Sequence, residues 1–521
     1  MDNFNQAIHS DLCTFMQPCF ELYHDNVMLS CLGKALSYGE VDSLSNQFSN
    51  FLVNHIGLQP GDRLAIQLPN SLQYGIAVYG ALKAGVIIVN CNPMYTPREM
   101  AHQFNDAGAK ALLIFKPMLT KYEAISTQVE IESVIVTDML DIHHRPNNSL
   151  QDEKGYFDLC AALSSQENRL ISVPRLHDDL VLLQYTGGTT GVSKGAMLSH
   201  QNILANTIQT MQQASEMFRE AQELMVQPLP LYHITAFVST FFMQASRGNS
   251  ILLIPNPSDI DAFVDQLAGQ PFTLFCGINT LFVGLCRHPD FKALDFSALN
   301  TTISGGAALT QAAIEAWENT TGCSIAEGYG LSETSPVIAI NDPLAIDYGS
   351  VGREVYATIV KLIDENGNEV NDGETGELTM QGPQLMQGYW NRPDATNEVM
   401  TSDGFFRTGD VAYRNIHGNI CIVDRLKDMI LVSGFNVYPN EIEMVLTSHE
   451  KVFEAAVIGQ PDEKTGERIE AYITALASLD ENEILDYCRQ NLVAYKIPKV
   501  VHIVDELPKS SVGKILRRKL R

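Results

Sequence analysis

From about residue 180 to 340, short apolar runs suited to buried strands alternate with stretches of helical period. "LVLLQYT", "SILLIP", "PFTLFCG" and "TTISGG" are of the first kind, and "QAAIEAWENT" is of the second. Leu204, Ile208 and Met211 fall at i, i+4 and i+7, one face of a helix. This alternation predicts an α/β layer around a largely parallel sheet. With 521 residues the chain is too long for one core, so three or four compact units are expected.

After residue 345 the texture changes. "TIVKLIDENGNEVNDGETGELTM" predicts a hairpin around Asn366-Gly367, followed by short strands and many glycines. Past about 428 a small α+β pattern follows: helices in "PNEIEMVLTSH" and "ENEILDYCRQNL", strands in "FEAAVIG" and "EAYITALA". The predicted fold is thus α/β, a large multi-lobed N-terminal part with mixed and parallel sheets, plus a small α+β C-terminal domain.

Charge and composition remove several classes of function. Thirty-five basic against 61 acidic residues leave a formal charge of −26, a field that repels nucleic acid and anionic membranes. The ten cysteines are scattered without a C-x-x-C pair, and "HEKVF" at 449 lacks the second histidine of a zinc helix. No apolar run is long enough to span a bilayer, and "MDNFNQAIHSDLCTF" is too acidic and polar for a signal peptide. A cytoplasmic protein with reduced thiols is expected. An anionic substrate must then be held by local positive features, and the tail "KSSVGKILRRKLR" is one, with six basic residues and no acidic one.

The stretch "YTGGTTGVSKGAMLSH", residues 185 to 200, carries the chemistry. Glycines Gly187, Gly188 and Gly191 free backbone N–H groups to face an anion, while Thr186, Thr189, Thr190 and Ser193 add donors and Lys194 adds charge. That set suits a triphosphate. It is not a Walker loop, because Lys194 stands between Ser193 and Gly195.

The stretch resembles the phosphate loop of the acyl-adenylate-forming superfamily, and later segments resemble that family's motifs in order. "SGGAAL" is similar to the loop whose backbone lines the adenine pocket, at Gly305, Gly306 and Ala307. "EGYGLSETSPV" resembles the second nucleotide motif. There the resemblance implies that Tyr329, between Gly328 and Gly330, stacks on adenine, that Ser332 bonds a phosphate oxygen, and that Glu333 binds magnesium. The family more often has threonine at Ser332, but a hydroxyl is kept. Asp410 in "TGD" would accept the ribose hydroxyls, and Arg425 would touch ribose or phosphate. Lys427 would be a hinge between residues 1–426, the adenylation domain, and 427–521, a domain that rotates. Lys514 matches the lysine that reaches from the small domain into the adenylation site. After rotation the loop with Gly434 and Phe435 would line a thiol channel. His233 sits where the family places a group at the substrate carboxylate. The match is weakest over residues 1–45 and 120–175.

The implied substrates are ATP with magnesium, a carboxylic acid and CoA. "NPMYTPREM", "INTLF", "GPQLMQGYWNRPDAT" and "DMILVSGFNVYPNEIE" are most similar to bacterial long-chain fatty-acid–CoA ligases, and a weak peripheral contact at the inner membrane face is left open. The signature segment departs from that group at Phe405, Phe406 and Arg407, where Trp, Leu and His are usual, which leaves chain length open. "ITAFVSTFFMQA" after His233 is equally an acyl-tunnel wall or an ordinary buried helix. An enzyme that loads an acyl carrier protein is the second reading. A non-catalytic acyl-nucleotide sensor ranks last, because Glu333 and Lys514 are both present.

Overall fold

The structure is a computed structural model that describes residues 4, 8–145, 148–170, 173–186, 193–306, 309–510 and 513–521. Two large sheets form the body. One has seven strands, with Leu180–Thr186 parallel to Ile87–Asn90 and antiparallel to Lys194–Ser199 at the edge. The other has nine, and its centre runs parallel through Leu274–Gly277, Thr301–Gly305 and Ile325–Gly330. It closes with antiparallel strands Val337–Ile340 and Arg353–Glu354. Nucleotide-type loops therefore leave the carboxyl ends of buried strands, where open α/β sheets place their ligands.

The apolar runs became strands as their composition requires. Leu182, Leu183, Leu274, Phe275 and Ile325 are fully buried, which only a sheet covered on both faces allows. The helix Gln311–Thr321 begins where Thr310 accepts from the Ala313 N–H and ends at Gly322 in the left-handed region. It buries Trp317 against Phe275, Phe282 and Phe291, with ring centroids 4.8, 4.9 and 5.7 Å away. The helix His200–Gln213 starts in a capping box between Ser199 and Asn202. Its buried amides wire it to its surroundings: Asn206 exchanges two hydrogen bonds with the Val337 backbone, and Asn202 donates to the Pro383 and Leu385 carbonyls.

A four-stranded antiparallel sheet follows, Ile359–Ile363, Gly376–Gln381, Phe406–Arg414 and Ile420–Arg425. The hairpin around Asn366-Gly367 forms as a short one, with Gly367 donating to the Asp364 carbonyl at 3.0 Å and Ile363 bridged antiparallel to Glu369. The partner of Ile359–Ile363 is Gly376–Gln381, beyond a second turn held by Glu374 on the Asn371 N–H. The C-terminal unit is a five-stranded sheet with helices Pro439–Thr447 and Glu481–Asn491. Its core is its own, built on Ile430, Ile442, Leu446, Ile469, Ile473 and Ile484.

Cys13 and Cys19 are half-buried and the other eight cysteines buried, all as free thiols. Among the described residues no helix is long and apolar enough to cross a membrane. Trp317→Ala is expected to lower unfolding free energy by about 3–5 kcal/mol in denaturant titration. A change under about 1 kcal/mol would mean that this aromatic cluster is not a structural core.

Candidate active site

Three strand ends and the C-terminal tail meet in one place. Thr301–Gly305 and Ile325–Gly330 lie side by side with Gly305 opposite Gly328. Gly306, just beyond, has φ +89°, and a Cβ there would lie 3.3 Å from Lys514 Cε and 3.5 Å from Nζ. The bare glycine lets the lysine stem lie against the backbone. Gly330 is constrained by approach: a Cβ would fall 1.9 Å from the Pro336 carbonyl oxygen.

Asp410 and Arg425 are cross-strand neighbours in register, and their side chains meet at 3.2 Å. The second Asp410 oxygen accepts from the Tyr329 hydroxyl at 2.6 Å. Asp410 is 5% exposed, and burial raises its pKa against the pull of Arg425, Tyr329 and Lys514. Glu333, 7% exposed in the single turn Ser332–Thr334, is also raised by burial, while a hydrogen bond from Tyr389 (2.7 Å) opposes the shift. Burial pulls Lys514 down to about 8, helped by Arg425 and resisted by Asp410 and Glu333. Lys427, in the short turn Leu426–Asp428, is likewise lowered to about 8, first by burial and then by Arg425.

His233 lies with Lys514, Leu229, Ile278 and Gly306 around a cavity of about 280 Å³. Burial, then the Lys514 charge, pushes its imidazole down to about 3, so it is neutral at physiological pH. A larger cavity of about 540 Å³ shares Thr235, Gly305 and Gly306 with the first. Its walls come from the strand Val337–Ile340, the helix His200–Gln213, Tyr329 and the segment Thr235–Phe242. That segment, expected as an ordinary helix or a tunnel wall, is a π-helix, in which the Met243 N–H reaches back five residues to the Val238 carbonyl. Such turns are rare and concentrate at functional sites.

The structure thus gathers Lys514, Glu333, Asp410, Arg425, Tyr329, His233, Gly305, Gly306, Gly328, Gly330 and Ser332 around one region. Thr186 and Lys194 are paired across the edge of the seven-stranded sheet. Gly187, Gly188, Thr189, Thr190, Gly191 and Ala307 lie outside the described residues. Gly434 and Phe435 do not line either cavity. They sit in the hairpin Ile430–Val437, with Gly434 at φ +85° and the Phe435 ring stacked on Tyr495 at 4.6 Å.

Tyr389 was not anticipated. Its stretch "GYWNRPDAT" drew notice only as part of a motif, yet residues 386–390 run beside the strand Lys194–Ser199 through an Ala196–Tyr389 bridge. The Met386 N–H also donates to the Glu333 carbonyl. Tyr389 then holds Glu333 with its hydroxyl while Lys194 Nζ lies 5.1 Å over its ring. Asp106 braces the same corner, accepting from the Tyr185 hydroxyl (2.7 Å) and pairing with Arg392 (2.7 Å). Such partners are distant in sequence and show no spacing signal.

In the free protein Lys514 is expected to titrate near pH 8 by side-chain nitrogen NMR. A midpoint near 10.4, that of a solvated lysine, would mean that the ammonium does not enter the site.

With this geometry in hand, the chain was compared with known proteins. The family described as AMP-binding enzyme matches residues 19–390, and the AMP-binding enzyme C-terminal domain matches residues 441–514. A long-chain-fatty-acid–CoA ligase of Escherichia coli O157:H7 is 42% identical, over 99% of this chain and 95% of its own. The anthranilate CoA ligase AuaEII, solved in complex with anthranoyl-AMP, shares the fold: TM-score 0.90, 24% identity, 98% and 97% of the two chains covered. MatB from Rhodopseudomonas palustris is 28% identical over 98% of both chains, with TM-score 0.87 when ATP is bound and 0.78 in its apo form. This chain belongs to the AMP-binding enzyme family.

Proposed function

We propose that the chain is an ATP-dependent fatty-acid–CoA ligase that works through an acyl-adenylate. The observation that carries this reading is the Lys514 ammonium, buried beside Gly306 and His233 within electrostatic reach of Asp410, Glu333 and Arg425. The likeness to CoA ligases supports CoA over a carrier protein as acceptor. The higher similarity to MatB with ATP bound supports assigning this arrangement to the adenylating state.

In that state the acid's carboxylate oxygen attacks the α-phosphorus of ATP, and the bond to the pyrophosphate oxygen breaks. Lys514 lies where negative charge builds on the transferred group, and its role is electrostatic. Neutral His233 orients the carboxylate by hydrogen bonding rather than by charge. Asp410 and Tyr329 receive the ribose and the base, and Arg425 keeps Asp410 aimed. The Glu333 carboxylate, with the hydroxyl of the adjacent Ser332, offers hard oxygens that would suit magnesium shared with substrate phosphates. When bound, the ion would neutralise charge on the departing pyrophosphate. Tyr389 fixes the Glu333 oxygen that it bonds.

We further propose residues 1–426 and 427–521 as the two moving bodies, with Lys427 as hinge. Rotation withdraws Lys514 and brings Gly434 and Phe435 to the site. A CoA thiolate then attacks the acyl carbonyl carbon, the acyl–phosphate bond breaks and AMP leaves. The exposed Phe435, 55% accessible, has no buried role in the present arrangement, which fits a surface used in the other one.

Lys514→Ala is expected to reduce acyl-adenylate formation by at least a hundredfold while leaving thioester formation from supplied acyl-adenylate within about threefold. Equal losses in both half-reactions, followed by rapid quench, would contradict the two-state assignment. Tyr389→Phe removes a hydrogen bond to a charged group, worth roughly 1.5–3 kcal/mol, so adenylation is expected to fall about ten- to a hundredfold. Half-saturation by magnesium should rise in the same variant, and an unchanged magnesium dependence would place Tyr389 outside the metal's support.

A further inference from the structure

The larger cavity carries hydroxyls that a plain hydrocarbon cannot satisfy. Thr210 and Ser239 both line it, and the side-chain oxygen of each is buried with no hydrogen-bond partner among the described residues. Thr210 is 1% exposed as a whole residue. Neighbours of the same type behave differently. Thr207, three residues before Thr210 on one helix, gives its hydroxyl to the Ile203 carbonyl at 2.8 Å. Thr240, next to Ser239, gives its own to Ala236 at 3.0 Å. That back-bonding is the usual resting place of a helical hydroxyl. Thr210 and Ser239 forgo it and come from two different elements into one chamber.

Their depth follows from which cavity they border. Thr235, Gly305 and Gly306 belong to both cavities and mark the junction with the Lys514 and His233 end. Thr210 and Ser239, with Met217 and Phe218, border only the larger one. A carboxylate held at His233 would send its chain past them.

We propose, building on the ligase reading, that the acid activated here carries a hydroxyl or keto oxygen along its chain, received by Thr210 and Ser239. Hydroxyls buried without partners are costly, and filling the chamber with methylenes would strand both. A substituent that donates to one and accepts from the other removes that cost. A site built to hydrogen-bond a substrate oxygen also discriminates strongly against an analogue lacking it, which a purely apolar pocket does not achieve.

The test uses the full-length enzyme with ATP, magnesium and CoA. Straight-chain acids of graded length compete with their monohydroxy and mono-oxo positional isomers, and each acyl-CoA is quantified by mass spectrometry. At least one isomer is expected to be used at least tenfold better, by kcat/KM, than the plain acid of equal length. Thr210→Val and Ser239→Ala should each cut that preference at least threefold, chiefly by improving use of the plain acid. The ratio is read within one protein sample, so a loss of folded enzyme cancels. Plain acids preferred at every position, with the ratio unmoved in both variants, would overturn the inference, show that ordered water serves these hydroxyls, and leave the ligase reading standing. No acyl-CoA from any acid would overturn both.

Discussion

The placement of Lys514 depends on Arg517, three residues later. The Arg517 guanidinium bonds Glu443 (2.8 and 2.6 Å) and Asp424 (3.0 Å), also bonds the Asn440 side chain, and lies 3.6 Å from Asp428. Asp424 closes the strand Ile420–Arg425, whereas Glu443 and Asn440 belong to the helix Pro439–Thr447. One cation thus fastens the tail to both sides of Lys427. The other Asp424 oxygen accepts from the Asn440 N–H at 2.7 Å, so the small domain's first helix is docked through the same carboxylate. Burial raises Glu443, and Arg517 counters it. A buried network of this kind contributes little net stability, because desolvation offsets attraction, but removing one member leaves uncompensated charge. Its effect is to choose one arrangement of tail, helix and sheet.

Around that anchor the site solves a problem set by the chain's own charge. A protein at −26 must hold polyanions, and it does so with a few cations gathered at one site. Arg425 pairs with Asp410, Lys514 lies within electrostatic reach of Asp410 and Glu333, and Lys427 of Asp410. Burial disfavours charge on Lys514, Lys427, Asp410 and Glu333, lowering the two lysines and raising the two carboxylates. A bound triphosphate strengthens the charged form of each lysine, and the same low dielectric that penalises the empty site makes its attraction for the ligand stronger. Lys514 at about 8 is then a group whose charge is most secure with the nucleotide present.

Much of this was legible in the sequence where the signal is local. Buried strands declared themselves as continuous apolar runs, and the helical period of "QAAIEAWENT" and of Leu204, Ile208 and Met211 placed two helices. Asp410, Glu333 and Lys514 were found because their motifs occur in order. What escaped depends on partners far apart along the chain. Tyr389 meets Glu333 across 56 residues, and Arg517 meets Asp424 across 93. No periodicity encodes such pairs. The π-helix Thr235–Phe242 looked like any apolar helix, since one widened turn leaves no pattern. The unpartnered state of Thr210 and Ser239 is a property of packing alone. The hairpin around Asn366-Gly367 is short, and the longer partner of Ile359–Ile363 comes only after a second turn, at Gly376–Gln381.

The most direct measurement is product mass spectrometry after incubation with ATP, magnesium and mixed fatty acids, with and without CoA. The account predicts acyl-AMP and pyrophosphate without CoA, and acyl-CoA with AMP once CoA is added. Acyl-AMP that persists with CoA present would contradict CoA as the acceptor, and a folded protein that yields neither product would contradict the ligase reading itself.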